Sequence, residues 1–283
     1  EVLKTYKLYI GGQFPRTESG RYYVPEGKSG DPLGNICQSS RKDFRNAVVA
    51  ARGALGGWAN RAAYNRSQIL YRIGEILEGR SAQFVDELVK QGATPGAAKQ
   101  EVEDAIDRCI YFAGWCDKYQ QVFSSVNPVS SAHFNFSVYE PIGVVAAVAP
   151  EDSGLLGLLG IVLPIIAGGN TCVALASESK PLCAITLGEV LATSDLPGGV
   201  VNLLTGNLDE LFEFMVSHKD VNAFVSSDLN AEAKAKAKRE SVSNLKRIIF
   251  TEGGESPYPI LETQEVKTTW HPVESSIAGG SKY

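Results

Sequence analysis

Five cysteines are the first residues of this 283-residue sequence that could do chemistry, because an activated thiolate is a strong nucleophile. They are Cys37, Cys109, Cys116, Cys172 and Cys183. None has a histidine near it in the sequence, and their irregular spacing fits neither a disulfide framework nor a zinc site. We therefore expect five unactivated thiols that behave as small apolar side chains. The three histidines, His133, His218 and His271, are interpreted as structural or surface residues and no metal site is predicted.

A second set of candidate residues follows short apolar runs of the kind that form buried strands. Residues 143–148, 171–175 and 200–204 are such runs, and each is rich in valine or other apolar residues. The candidates that follow them are Asp152, Glu178 and Gly206. Parallel strands end at the same edge of a sheet, and ligands of open α/β sheets bind at that edge. The carboxyl ends of the three runs are therefore predicted to share the edge at which a ligand would bind.

The apolar pattern around these candidates predicts the fold class. Continuous apolar runs of this length indicate strands that are buried on both faces of a parallel sheet. Residues 181–193 carry apolar side chains at near-helical spacing, and residues 43–113 are mainly helical by the same criterion. We predict an α/β fold, a Rossmann-like parallel sheet with helices on both faces.

Several segments together resemble the aldehyde dehydrogenase superfamily, and the resemblance covers nearly the whole chain. They are GVVAAVAP at 143–150, AGGNT at 167–171, LPGGVVNLLTG at 196–206 and NLKRIIFTEGGESP at 244–257, with LYIGGQF at 8–14 and AGW at 113–115 upstream. The resemblance implies a cofactor-binding α/β domain and NAD(P)-dependent aldehyde oxidation. It also implies a second α/β domain that supplies a catalytic cysteine.

The family's oxyanion donor is an asparagine two residues after the proline that ends the first strand. This sequence has Asp152 there, and an ionised carboxylate accepts hydrogen bonds without donating any. Only a protonated Asp152 would act as a donor. We interpret Asp152 instead as the N-cap of a helix that begins near Gly154.

The resemblance further implies a lysine and a glutamate that hold the adenosine ribose. Leu175 stands at the lysine position and Glu178 at the glutamate position. Half of this pair therefore survives, unless Glu178 is an ordinary solvated loop residue.

A glycine and serine motif faces the cofactor's pyrophosphate in the family. Here Ser226 replaces the glycine, Ser227 keeps a donor, and Asp228 adds a negative charge that disfavours a diphosphate. Glu178, Ser227 and Gly206 are thus the predicted vestigial cofactor positions. The alternative role for this Ser/Asp cluster is to cap the helix predicted at 231–238.

Thr251 stands at the position of the family's general base, and Glu252 follows one residue later. On a strand one residue changes the face, so an irregular turn would be needed to re-aim Glu252. No nucleophile is expected either, because the sequence runs from 256–265 directly into KTTWHPV instead of through a second domain. The predicted catalytic set is therefore empty. The lost family positions are Asp152, Leu175, Ser226 and Thr251.

The segment at 267–273 resembles the terminal strand with which the family's enzymes pair against a neighbouring subunit. Its residues are Lys267, Thr268, Thr269, Trp270, His271, Pro272 and Val273. A hairpin of residues 8–14 and 133–141 is predicted as a second oligomerisation element, with an edge hairpin that caps the domain's own core as the alternative. The implied partner is a second copy, giving a homo-oligomer, or a catalytic aldehyde dehydrogenase domain.

Composition and charge indicate the class of protein and exclude some partners. With 44% hydrophobic and 21% charged residues, the sequence is typical of a globular domain, and we place this domain at 1–262, an oligomerisation strand at 263–274 and a loose tail at 275–283. The formal net charge of -5 argues against nucleic acid as a partner. The uncharged stretch at 154–175 is divided by Pro164 and a Gly-Gly-Asn turn, so no membrane partner is predicted. No secretory signal opens the chain, and a cytoplasmic location is expected.

Two functions remain open at this stage. The first is a catalytically inactive domain for oligomerisation or protein interaction, which resembles the truncated C-terminal domain of the aldehyde dehydrogenase 16 group and for which no cofactor is expected. The second is the NAD-binding portion of an aldehyde dehydrogenase that oxidises aldehydes only together with a separate catalytic domain. Its affinity for NAD is expected to be weak. The substitutions at Leu175, Ser226, Asp228 and Thr251 favour the first function.

Overall fold

A computed structural model describes residues 2–251 and 253–273 of the chain. Glu252 and the tail predicted at 275–283 lie outside the described residues. Within them, the helices are α1 (Arg41–Ala59), α2 (Ala63–Gly79), α3 (Ser81–Lys90), α4 (Pro95–Trp115), α5 (Lys118–Phe123), α6 (Leu156–Ala167), α7 (Leu182–Thr193), α8 (Leu208–Ser217), α9 (Ala231–Ser241) and α10 (Tyr258–Glu262).

The strands form three sheets. They are β1 (Thr5–Tyr6), β2 (Tyr22–Tyr23), β3 (Asn35–Cys37), β4 (Ser125–Asn127), β5 (His133–Pro141), β6 (Val144–Val148), β7 (Thr171–Leu175), β8 (Val201–Leu204), β9 (Ala223–Ser226), β10 (Arg247–Phe250) and β11 (Gln264–Pro272). The central sheet has the order β10-β9-β6-β7-β8, and every pair in it is parallel. The predicted α/β class with a Rossmann-like parallel sheet is thereby confirmed.

The strands of this sheet are buried on both faces because helices cover both. Along β6, Val145 and Ala147 join a core cluster formed with α2, α4, α6 and α7. Val144, Ala146 and Val148 point the other way and pack with α1 and α8. This two-sided burial explains why β6 and β7 are apolar at every position except Thr171.

Local capping signals begin the long helices on these faces. At α1, Ser40 and Asp43 form a reciprocal capping box, and at α4 the Thr94 hydroxyl accepts from the Ala97 N–H with Pro95 at the first position. The uncharged stretch at 154–175 is divided as expected, into α6 and β7. No helix within the described ranges combines the length and apolar character needed to cross a membrane.

The predicted pairing of residues 8–14 with 133–141 is wrong. Strand β5 lies in a separate antiparallel sheet of order β11-β5-β4, where both of its edges are already occupied. Residues 8–14 instead make a tight turn against the edge of the central sheet, where Tyr9 exchanges two backbone hydrogen bonds with Leu203 on β8. Tyr9 is almost fully buried there. The segment therefore closes a sheet edge of its own domain, which agrees with the alternative role for residues 8–14 but with a different partner strand.

The terminal strand finds its first partner within the chain. β11 pairs with β5 over nine residue pairs, from Gln264 opposite Pro141 to Pro272 opposite His133, and the Val273 N–H extends the ladder to the Ala132 carbonyl. Among the described residues, no strand occupies the outer edge of β11. Pairing with a neighbouring subunit thus stays a prediction, and only this outer edge is free for it.

Candidate functional site

The loops at the carboxyl edge of the central sheet surround a cavity of about 350 Å³. It lies between α4, the start of α6, and the loops that follow β6, β9 and β10. Three of the predicted positions, Asp152, Ser227 and Thr251, line it together. Glu178, Leu175, Ser226 and Gly206 do not line it. Three of the seven predicted positions therefore lie around one cavity, and the other four lie outside its lining.

Asp152 is exposed and does not cap a helix, so that prediction is wrong. Helix α6 begins at Leu156, and its first N–H groups are satisfied from elsewhere. The Glu101 carboxylate accepts from the N–H groups of Leu155 (3.0 Å) and Leu156 (3.2 Å), and the Ser153 hydroxyl accepts from the Gly157 N–H (2.7 Å). A carboxylate from α4 thus supplies the negative charge that a helix N-terminus favours. Sequence reasoning missed Glu101 because its partners lie more than 50 residues away.

Glu151 is the second acid that sequence reasoning missed. Its carboxylate accepts hydrogen bonds from the hydroxyls of Ser177 (2.8 Å) and Ser179 (2.7 Å) and from the N–H groups of Glu178 (2.8 Å) and Ser179 (3.1 Å). Partial burial acts to raise the pKa of Glu151, but the hydrogen bonds from Ser179, Glu178 and Ser177 outweigh it and hold the pKa below its ordinary value. The loop after β7 therefore already holds an anion from its own chain.

Glu178 is half-buried and fully engaged. Both of its carboxylate oxygens accept from the Asn207 side-chain amide, at 3.0 and 3.2 Å. Asn207 in turn caps α8 through a hydrogen bond from the Glu210 N–H. Glu178 is therefore a partly exposed loop residue held by Asn207, and neither the solvated-loop alternative nor a role in holding a ribose is tested by these contacts.

Leu175 is 1% exposed and belongs to the core rather than to the ligand edge. Its side chain packs in the cluster that contains Phe44, Val173 and Phe224. Its carbonyl accepts from the Ala149 N–H, which fixes the end of β7 against β6. A charged side chain at this position would have to leave the core to reach a ligand.

The Ser/Asp cluster after β9 does not cap α9, which corrects the alternative role proposed for it. The cap is Asn230, whose side chain accepts from the Ala233 N–H at 2.8 Å. Ser226 is buried as the last residue of β9. The Asp228 carboxylate accepts from the Glu151 N–H at 3.3 Å, and the Ser227 hydroxyl is buried without a hydrogen-bond partner among the described residues.

Thr251 is half-buried at the cavity wall and holds its own loop together. Its hydroxyl accepts from the Gly253 N–H at 3.1 Å, and its own N–H donates to the Ser226 carbonyl. A threonine hydroxyl with a pKa far above neutrality is a poor general base. The hypothesis that a turn re-aims Glu252 concerns a residue outside the described ranges.

Gly206 has a packing reason to be glycine. Its φ is 135°, and a Cβ there would lie 2.9 Å from the backbone nitrogen of Ser39. Any larger residue would be strained and would push the 38–39 segment away. Gly206 is therefore required by the fold, and contact with a cofactor stays a prediction.

The structure supports the expectation of unactivated cysteines. All five are buried and free. Burial raises the pKa of Cys109 and of Cys116 to about 12, and it raises the pKa of the other three thiols as well. Thiols of this kind are protonated and inert at neutral pH. Within the described part of the chain, no cluster of three potential metal ligands occurs.

Arg108 is a third functional candidate that sequence reasoning missed. It is 9% exposed on α4, lines the same cavity, and donates from Nη1 to the Gly254 carbonyl at 2.6 Å. Its spacing offered a signal, because it shares the apolar face of α4 with Ala105, Cys109 and Phe112. A single arginine on such a face is rarely buried without a partner.

A family model described as the aldehyde dehydrogenase family matches residues 15–281. A D-glyceraldehyde dehydrogenase (NADP(+)) from Thermoplasma acidophilum is 27% identical over 291 aligned residues, which cover 98% of this chain and 58% of that protein. The chain spans 53% and 58% of the length of two curated relatives that it matches, and 29% of another.

Solved structures give the same result for the fold. PnpE from Pseudomonas sp. WBC-3 superposes with a TM-score of 0.82 at 27% identity, covering 87% of this chain and 50% of that one. An NAD+ complex of an aldehyde dehydrogenase from Bacillus cereus superposes equally well, with a TM-score of 0.82 at 23% identity and the same coverage. At that identity the second likeness concerns the fold alone.

Proposed function

Because the chain belongs to the aldehyde dehydrogenase family, we propose that it is a catalytically inactive member that serves assembly or protein interaction. In this proposal the chain alone is not an enzyme, and it is most like the truncated, non-catalytic C-terminal domain of the aldehyde dehydrogenase 16 group. NAD is not its working cofactor.

The observation that carries the proposal is the occupied loop after β7. The family resemblance assigns the ribose-holding pair to positions 175 and 178, on either side of the end of this strand. Here the Glu151 carboxylate accepts hydrogen bonds from the N–H groups of Glu178 and Ser179. The Asn207 side-chain amide donates to the Glu178 carboxylate. A ribose bound to the Glu178 carboxylate would compete with Asn207, and an anionic cofactor would meet the carboxylate of Asp228, which accepts from the Glu151 N–H.

The chemistry of the remaining positions supports the same proposal. Asp152 presents an exposed carboxylate where an amide donor would be needed, and Thr251 stands at the position of the base. All five thiols are buried and carry raised pKa values. The described residues that line the cavity include no cysteine and no histidine.

The alternative function is the NAD-binding portion of an aldehyde dehydrogenase that acts with a separate catalytic domain. The NAD+ complex of the similarly folded Bacillus cereus enzyme, together with a chain that spans about half of such proteins, favours it. The unpartnered Ser227 hydroxyl also keeps one donor at the pyrophosphate position. Two observations argue against this alternative: Leu175 is buried, and the Glu151 carboxylate is hydrogen-bonded to the loop after β7.

We propose a second copy of the chain as the assembly partner, with a catalytic aldehyde dehydrogenase domain as the alternative. The sheet of β4, β5 and β11 leaves several large apolar side chains exposed. Val266 is 55% exposed and Trp270 58% exposed on one face of β11, and Phe134 is 47% exposed on β5. Apolar groups of this size next to a free strand edge favour contact with another protein.

The mass in solution, measured by sedimentation velocity, tests this assembly role. We expect the chain to sediment as an oligomer and a Val266→Lys/Trp270→Lys variant to sediment as a monomer, because two charges would be buried in the contact. The matched control is Val49→Lys, since Val49 is 64% exposed on α1, away from this sheet. A wild-type monomer, or an oligomer that survives the double substitution, would contradict the assembly role.

A further inference from the structure

The loop at 218–222, which joins α8 to β9, is held by a side chain from α1. Arg52 donates from Nη2 to the Asp220 carbonyl at 2.8 Å and to the Asn222 side-chain oxygen at 2.7 Å. Its Nε also lies 2.8 Å from the Asp220 carboxylate. The same Asn222 oxygen accepts from the Val144 N–H at the start of β6. These contacts connect the loop to α1 and to the central sheet.

The turn before β10 supplies a second set of contacts to this loop. The Asn244 amide donates to the carbonyls of Lys219 (3.1 Å) and Val221 (3.2 Å). The Lys246 ammonium donates to the His218 carbonyl at 2.7 Å, and the lysine is only 4% exposed. Burial lowers the pKa of Lys246 to about 8, so this side chain is charged throughout the acidic range. The loop therefore packs against a buried positive charge.

His218 is the residue of this loop whose charge changes near neutral pH. Its Nδ1 accepts a hydrogen bond from the Asp220 N–H at 3.2 Å, which requires Nδ1 to carry no proton. The imidazole ring stands edge-on to the fully buried Phe44, with 5.8 Å between the ring centroids. A proton on Nδ1 would place two donors opposite each other. Protonation therefore removes a hydrogen bond that holds the loop in its folded conformation.

The surroundings of the ring also disfavour the imidazolium. Lys246 on the turn and Arg45 on α1 are positive, and the negative Asp220 within the loop is already paired with Arg52. Partial burial is the main cause that lowers the pKa of His218 below its ordinary value, and the charges of Lys246 and Arg45 act in the same direction. Asp220 acts against them without reversing the shift.

The pH dependence of the loop follows from this lowered pKa. A proton binds more tightly to the histidine of an open loop than to that of the closed loop. The closed conformation is therefore fully favoured above about pH 6.5, where the histidine is neutral in both states, and it is lost progressively below that pH. Each unit of pH in this range favours the open loop by up to about tenfold, until the closed loop is protonated as well.

We propose that the 218–222 loop is an acid-sensitive contact, closed at neutral pH and opened by protonation of His218. Opening would weaken the connection between α1, the start of β6 and the turn before β10, because the loop joins all three. This device goes beyond the proposed function, because it depends on neither assembly nor NAD.

Hydrogen–deuterium exchange of the full chain, read by mass spectrometry on peptides that cover 217–223, tests the proposal. After correction for the intrinsic pH dependence of exchange, we expect the protection of this segment to fall by about three- to tenfold between pH 7.5 and pH 5.5. Peptides from α7, on the opposite face of the central sheet, are the internal control and should keep their protection.

A substitution that keeps the acceptor separates the pH effect from a purely structural role of the side chain. His218→Asn places an amide oxygen close to the position of Nδ1 and does not titrate, so its protection should stay the same at both pH values. His133→Asn, which removes an exposed histidine on β5, is the matched control and should show the wild-type loss.

A proton NMR titration of the wild-type histidines gives a second measurement if His218→Asn fails to fold. His218 should titrate below about pH 6.5, and His133→Asn together with His271→Asn assigns its signal by removing the other two. The proposal is overturned if the segment at 217–223 is equally protected at both pH values, if His218→Asn loses as much protection as the wild type, or if His218 titrates at or above pH 6.5.

Discussion

Asn170→Ala is expected to lower the free energy of unfolding by about 2–4 kcal/mol, since it leaves the buried Gly143 N–H without a partner and leaves the Thr263 carbonyl with only the Ile142 N–H as donor. The Asn170 side chain is fully buried. Its Oδ1 accepts from the Gly143 N–H at 2.9 Å, and its Nδ2 donates to the Thr263 carbonyl at 2.9 Å. One side chain thus ties the start of β6 to the start of β11. Urea denaturation followed by far-UV circular dichroism measures the change.

Asn60→Ala is the matched control for this substitution. Asn60 also donates to a backbone carbonyl, that of Gly56 at 2.9 Å, but it is exposed at the end of α1. Its loss should cost less than about 1 kcal/mol because water replaces the hydrogen bond. If Asn170→Ala costs no more than this control, the AGGNT segment does not hold the two sheets together in the way described here.

Leu175→Lys, which restores the side chain expected at the family's ribose position, is predicted to destabilise the fold by about 3 kcal/mol or more without creating NAD affinity. Leu175 is 1% exposed in the core cluster with Val173 and Phe224. A lysine there must bury its ammonium group or pull the end of β7 away from β6. Thermal and urea unfolding of the variant measure the loss of stability, and titration with NAD measures its affinity for the cofactor.

Leu175→Met controls for the change of shape, since it keeps the side chain apolar and similar in volume. It should cost less than about 1.5 kcal/mol. A Leu175→Lys variant that is as stable as this control and binds NAD would mean that position 175 faces the ligand edge after all. The cofactor site would then be lost through one substitution and not through the packing of the region.

The parts of the fold that sequence could predict are those that depend on near neighbours. The apolar runs at 143–148, 171–175 and 200–204 became β6, β7 and β8 because strands buried on both faces must be apolar at nearly every position. The near-helical spacing of apolar residues at 181–193 was confirmed as α7, because a helix between packed elements repeats its apolar side chains with the helical period. The inert cysteines were expected because none has a histidine near it in the sequence and their spacing fits no disulfide framework or zinc site.

The errors came from contacts between residues far apart in the sequence. Asp152 had the composition and position of a helix cap, but Glu101 reached the same N–H groups from α4. Residues 8–14 looked like half of a hairpin, but the open edge of β8 was the nearer partner for Tyr9. The local sequence pattern cannot show which of two possible hydrogen-bond partners a group will have, because that depends on how whole helices and strands are placed.

The candidate site was predicted in outline and missed in its interactions. Of the positions singled out by the family resemblance, Asp152, Ser227 and Thr251 line one cavity, whereas Glu178, Leu175, Ser226 and Gly206 do not. No sequence signal showed that Glu151 would bind the loop of Ser177 and Ser179, since nothing in Pro-Glu-Asp specifies four donors from another loop. Side-chain hydrogen bonds of this kind require the tertiary structure.

Calorimetric titration of NAD into the unmodified chain tests the central claim, that the fold is retained while the cofactor site is lost. The aldehyde dehydrogenase from Bacillus cereus, for which an NAD+ complex exists, is the positive control under the same conditions. We predict saturable heat for the control and none for this chain, because Leu175 is buried in the core, Asn207 already donates to the Glu178 carboxylate, and Asp228 places a negative charge at the pyrophosphate position. Saturable binding of NAD to this chain in the low-micromolar range would contradict the claim.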